Sequence, residues 1–142
     1  MAIEVHVVTP EREIWAGEAE SVIARGVEGE VGILNGHAPM MLQLAIGPLR
    51  ILRDGEPELS AVVDGGFMHV TSPGEDAESQ TRVDVLASGA ELADDIDVEA
   101  ARARAEELDG QLSRSPDGGD EDEVAAIKAD LDRARARVDL AG

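Results

Sequence analysis

The sequence has no cysteine and no tyrosine, one tryptophan (Trp15) and one phenylalanine (Phe67). Without cysteine there are no disulfides, no thiolate metal sites and no thiol nucleophile. Lysine is nearly absent: of 12 basic residues only Lys128 is a lysine, set against 31 acidic residues. The formal net charge is −19 over 142 residues. A field of that sign repels phosphate backbones and speaks against nucleic-acid binding. No stretch approaches the ~20 apolar residues of a membrane span, and residues 1–10 lack a basic-then-apolar leader pattern. The expectation is a soluble intracellular protein without membrane insertion. The length suits one domain, or one domain with a small appendage, and is enough for a self-sufficient core.

What is present changes character near residue 90. Residues 1–90 carry 15 acidic and 5 basic residues, while residues 91–142 pack 16 and 7 into far fewer positions. Glycine and β-branched residues dominate the first part; Ala, Glu, Asp and Arg dominate the second. The boundary falls between Ser88 and Asp95, which divides the chain into units 1–90 and 91–142.

The first unit reads as strands. Ile3, Val5 and Val7 alternate with Glu4 and His6, the period of a half-buried strand. Similar runs recur at 20–25, 30–34, 41–45, 49–53, 58–63, 67–71 and 83–87. Asp54-Gly55 and Asp64-Gly65 each sit between apolar runs and predict hairpin turns, because glycine tolerates positive φ. Residues 72–79 read as a polar loop. Many short strands at this spacing predict an antiparallel sandwich or barrel.

The second unit reads as two helices. Asp97 is placed to cap the first, with Glu99 in the first turn where the helix dipole favours negative charge. Val98, Ala101, Ala105, Leu108 and Leu112 form one helical stripe. Pro116, Gly118 and Gly119 stop that helix, and Asp120 with Glu123 suggests a capping box for the next. Val124, Ile127, Leu131, Ala134 and Val138 form the second stripe. Together they predict an antiparallel helical hairpin. Three of the ten stripe positions are alanine, so the hairpin needs the sandwich or another partner to hold it.

Little in the chain points to catalysis. His6, His37 and His69 are scattered, with no His-x-His pair and no obvious third ligand, which argues against a metal site. Gly26, Gly29, Gly32 and Gly36 are spaced as turn residues, and no Lys-Ser or Lys-Thr follows to make a phosphate loop. Carboxylate pairs such as Asp94-Asp95 carry no specificity in so acidic a chain. Two rival readings nevertheless stand beside a structural role: a metal- or ligand-binding β-barrel enzyme with a helical tail, and a soluble adaptor that binds a partner through its hairpin.

The segment Gly29-Glu30-Val31-Gly32-Ile33-Leu34-Asn35-Gly36-His37-Ala38-Pro39 resembles the motif Gly-Glu-x-Gly-Ile-x-x-Gly-His-x-Pro of the epsilon subunit of bacterial F-type ATP synthase. Three further stretches are similar to that family: Val7-Val8-Thr9-Pro10 with Ile14-Trp15-Ala16-Gly17, Asp64-Gly65-Gly66-Phe67, and Val83-Asp84-Val85-Leu86-Ala87 followed by Ala90-Glu91 and Ile96-Asp97, which looks like the family's junction to the helices. The resemblance implies a ten-stranded β-sandwich followed by a two-helix hairpin. It implies a non-catalytic central-stalk subunit on the cytoplasmic face of the membrane, bound to the gamma subunit and the ring of c subunits. It implies coupling of proton flow to ATP synthesis and restraint of ATP hydrolysis. By the same resemblance Glu28, Glu30 and His37 belong to the rotor contact. Lys128, Arg133, Arg135 and Arg137 belong to a regulatory helix that reaches the catalytic alpha and beta subunits. Many bacterial members bind ATP through Ile-Asp-x-x-Arg-Ala. Here the stretch is Ile96-Asp97-Val98-Glu99-Ala100-Ala101, with Ala100 in place of the arginine, so ATP binding is expected to be weak or absent and no cofactor is implied.

Overall fold

The computed structural model describes residues 2–72, 80–114 and 121–141. The expected polar loop beyond Ser72, the Pro116–Gly119 helix break and the Asp120 cap lie outside the described residues. The elements are β1 (Ile3–Val8), β2 (Glu13–Ala19), β3 (Ser21–Gly26), β4 (Gly29–Leu34), β5 (Met40–Leu52), β6 (Leu59–Thr71), β7 (Arg82–Ala87) and β8 (Ala90–Leu92). A 3-10 turn (Ala93–Asp95), α1 (Val98–Arg114) and α2 (Glu121–Ala141) follow.

The strands run in the order β2-β1-β7-β6-β5-β3-β4, with β8 added on β6. All pairings are antiparallel except β1 with β7. Ile3, Val5 and Val7 at one end of that order share a single hydrophobic cluster with Val22, Ala24 and Ile33 at the other. A flat sheet would hold those ends far apart, so the sheet folds over on itself into two layers around one core. Each fully buried Val, Ile or Leu there contributes roughly 1.5–3 kcal/mol.

The strand count is eight, not ten, because β5 and β6 are 13 residues each. The runs expected at 41–45 and 49–53 are one strand, as are those at 58–63 and 67–71. Their pairing keeps one register from Met40↔Val70 to Ile51↔Leu59. β5 leaves β3 between Leu44 and Leu49, and Pro48, which has no N–H to donate, sits in that gap. Asp54-Gly55 makes the expected turn, with Gly55 at φ +71°. Asp64-Gly65 does not: it lies inside β6, with Gly65 and Gly66 at φ +90° and +113°. A Cβ on Gly66 would collide with the Leu86 carbonyl of β7. These glycines therefore bend a continuous strand rather than reverse it.

Ala61, Val62 and Val63 are all buried. Consecutive strand residues face opposite sides, so this run needs cover on both. The helices give it: α2 packs on β5, β6 and the 3-10 turn, and α1 packs on α2. Ile96, Ala101, Leu108, Leu131 and Ala134 are buried outside the sandwich cluster, in this second contact. Asp97 caps α1 as expected, its Oδ1 accepting from the Ala100 N–H at 3.0 Å.

Candidate functional site

Glu28 lies in the two-residue turn between β3 and β4, and Glu30 follows on β4; both are exposed. They line a groove of about 400 Å³ between residues 26–31 and 40–43. Val27 and Met41, which also line it, are 57% and 62% exposed. The groove thus combines two carboxylates with uncovered apolar surface, a chemistry suited to a basic, partly apolar partner. Arg25 lies opposite Glu30 in the β3–β4 register.

His37 follows the turn at the far end of β4 and does not line this groove, although Met40, three residues on, does. Its Nδ1 lies 2.7 Å from the Ala38 carbonyl. The same turn is fastened across the sandwich: Gly36 N–H donates to Thr81 Oγ1 at 2.8 Å, and Thr81 N–H donates to Asn35 Oδ1 at 3.3 Å. Gly36 takes φ +90°. His37 is therefore placed by a cross-braced turn.

His6 sits between Glu4 (3.3 Å) and Glu13 (3.1 Å) on the outer face of β1. Beside it Arg82 donates to both Asp84 oxygens, and that hydrogen bonding, with the charges of Asp84 and Glu4, raises the guanidinium pKa further. Among the described residues, no three His, Asp or Glu side chains converge to hold a metal ion.

The arginines of α2 face the sandwich and α1. Arg137 pairs with Glu91 at 3.0 Å and lies 3.7 Å from Asp64. Arg133 pairs with Asp130 at 2.9 Å and lies 3.9 Å from Asp64. Arg135 reaches Asp109 of α1 at 3.6 Å, and Lys128 is exposed. Asp64 and Glu91 lie in family-like stretches of the sequence, but nothing there marks them as partners of α2. One looked like a turn residue, and the other is lost in a chain with 31 acids.

Asp97, Ala100 and Ala101 line a recess of about 230 Å³ with Glu91, Arg104, Ala134 and Arg137. Both arginines already have acidic neighbours: Arg104 is 3.2 Å from Glu107 and Arg137 is 3.0 Å from Glu91. Ala100 brings no donor side chain, and Ile96 is buried beneath the start of α1.

A sandwich of this topology, with an exposed acidic corner and a docked helical hairpin, matches a known class. The family model for the beta-sandwich domain of the ATP synthase delta/epsilon chain matches residues 2–93. The ATP synthase epsilon chain of Thermobifida fusca is 45% identical over 136 residues, covering 94% of this chain and 88% of that one. That of Microcystis aeruginosa is 38% identical over 142 residues, covering 100% and 96%. A chain in the cryo-EM structure of the Euglena gracilis mitochondrial ATP synthase (OSCP/F1/c-ring, rotational state 1) superposes with a TM-score of 0.77 at 25% identity, covering 95% of this chain and 78% of that one. A second, in the central stalk/c-ring structure of the Tetrahymena thermophila mitochondrial enzyme, shares the fold with a TM-score of 0.62 at 16% identity.

The chain belongs to the epsilon-chain family of ATP synthase. The barrel-enzyme and free-adaptor readings give way to that membership. No helix among the described residues is long and apolar enough to cross a membrane.

Proposed function

We propose that this chain is a non-catalytic subunit of the central stalk of an F-type ATP synthase, held peripherally at the cytoplasmic face of the cell membrane. The sandwich binds the gamma subunit and the ring of c subunits, and the Glu28–Glu30 corner faces the c-subunit loops. The carrying observation is that corner: two exposed carboxylates on a groove edged by exposed Val27 and Met41, held by a folded scaffold. Opposite charge across such a contact fixes register and orientation more than raw affinity. The helices restrain ATP hydrolysis by reaching the alpha and beta subunits, with Lys128, Arg133, Arg135 and Arg137 as the contacts.

The test is reconstitution of the rotor with Glu30→Lys and Glu30→Gln. Both are expected to weaken association with the c ring, the lysine more, and the difference from wild type should shrink as salt rises through the ~8–10 Å screening range. Because Arg25 lies opposite Glu30, Glu30→Lys also sets like charges across a strand pair. Thermal unfolding of each variant therefore separates lost folding from lost contact. Normal assembly and coupling in both variants would remove Glu30 from the interface.

A further inference from the structure

Asp64 stands where β6 bends into Gly65 and Gly66, and its backbone is fixed there: its N–H donates to the Gly89 carbonyl at 2.8 Å. Gly89 itself leaves room for the carboxylate, since a Cβ at that position would lie 2.8 Å from Asp64 Oδ2. The side chain is 20% exposed, and Oδ1 is buried with no hydrogen-bond donor. The cations that reach it come from α2, Arg133 Nε at 3.9 Å and Arg137 Nη2 at 3.7 Å. These are ion pairs without hydrogen bonds. Arg137 turns its Nε to Glu91 on β8 at 3.0 Å. Arg133 and Arg137 are four residues apart, one above the other on the face of α2 that meets the sandwich.

The apolar part of the α2 contact is small, with Leu131 and Ala134 its buried residues. Around Asp64 the Coulomb attraction acts across partly buried ground, where it is screened less than at a surface. When α2 lifts, water reaches the carboxylate and replaces the arginines, so no buried charge is stranded.

We propose that Asp64 and Glu91 form a clasp that holds α2 down through Arg133 and Arg137, and that this clasp competes directly with the contact these arginines make on the catalytic subunits. The second half rests on the regulatory reading above. One guanidinium cannot serve both partners, so a tighter clasp means a weaker brake on hydrolysis. Asp64 and Glu91, though on the sandwich, set how readily the hairpin opens.

The experiment is amide hydrogen exchange on the full-length chain. Asp64→Asn and Glu91→Gln are expected to raise exchange across α2 by up to about fivefold for each ion pair lost, Asp64→Asn more because it loses two. Added salt should move the wild type toward the variants. Arg102→Ala removes a surface pair with Glu99 on α1 and should leave α2 exchange as it was. Sandwich amides in the same data report whether the fold is intact. If Asp64→Asn disturbs β6, Glu91→Gln and Arg137→Ala decide the matter without touching that strand. Unchanged α2 protection in these variants overturns the clasp. In the assembled synthase, Asp64→Asn and Glu91→Gln should lower ATP hydrolysis by freeing the arginines. Faster α2 exchange with unaltered hydrolysis would uphold the clasp and overturn the competition, whereas the inhibitory role of α2 itself stands or falls with removal of residues 120–142.

Discussion

Gly55 and Gly66 both take positive φ, at +71° and +113°, in very different surroundings. Asp54-Gly55 and Asp64-Gly65 read alike in sequence, since both offer positive φ between apolar runs. The difference is what lies beside them. A Cβ on Gly55 meets open space, whereas one on Gly66 meets the Leu86 carbonyl and the Ala87 Cα of the neighbouring strand. Gly66→Ala is expected to destabilise by about 2–4 kcal/mol, strain and collision together, and Gly55→Ala by about 1 kcal/mol, measured by denaturant unfolding. A small loss at Gly66 would mean that β7 can move away, contrary to its parallel pairing with β1. Ala100 is decided at the same scale. The recess beside it offers Arg104 and Arg137, but each already neutralises a carboxylate of this chain, and a triphosphate would have to displace Glu107 and Glu91. Calorimetric titration with ATP at moderate salt should show no sub-millimolar binding; a clear sub-millimolar isotherm would refute this.

At the scale of elements, the smallest strand has the largest consequence for where the chain can be cut. β8 pairs Ala90, Glu91 and Leu92 with Val63, Val62 and Ala61, and Ile96 is buried just beyond the 3-10 turn. A cut after residue 90, where composition changes, removes most of β8 and uncovers apolar side chains. A fragment of residues 1–96 should therefore be more stable than residues 1–90, by about 2 kcal/mol, the worth of burying one aliphatic side chain. Equal melting temperatures would show that β8 adds nothing to the sandwich. Most of this level was legible in the sequence. Period-2 alternation gave β1, β3 and β7, and the i, i+3, i+4 stripes gave both helices, with Leu108 and Leu131 at their most buried points. The junction was legible through its likeness to the family, but not the strand inside it, because Ala90-Glu91-Leu92 is too short to show a period. The union of four expected strands into β5 and β6 was not legible either, since a bend and a turn use the same glycines. The acidic corner at Glu28 and Glu30 could be read from the turn residues around it. The Asp64–Glu91 seat could not, because it is assembled by residues 27 positions apart and by a helix more than 40 positions further on.

At the scale of the whole molecule the net charge of −19 works against any contact that is not locally balanced. The hairpin is held by a limited apolar contact and by the few positive charges the chain has; among the described residues five ion pairs join α2 to α1 or the sandwich: Arg104–Asp130, Arg133–Asp64, Arg135–Asp109, Arg137–Asp64 and Arg137–Glu91. Partly exposed pairs of this kind contribute up to about 1 kcal/mol each and weaken with salt. On the proposed release of α2, such contacts would set a gap of a few kcal/mol, the range in which a partner shifts populations. Removal of residues 120–142 takes away the helix and its arginines while leaving the sandwich strands in place. In the purified synthase this truncation is expected to raise ATP hydrolysis with synthesis and assembly largely intact. Replacing Arg133, Arg135 and Arg137 together by alanine should reproduce only part of that rise. The same change that removes the proposed contact on the catalytic subunits also frees α2 from Asp64, Glu91 and Asp109, and these two effects act in opposite directions. Equal hydrolysis by the full-length and truncated complexes would show that α2 does not restrain the motor in this protein. A triple variant that matched the truncation fully would show instead that the arginines carry the whole inhibitory contact.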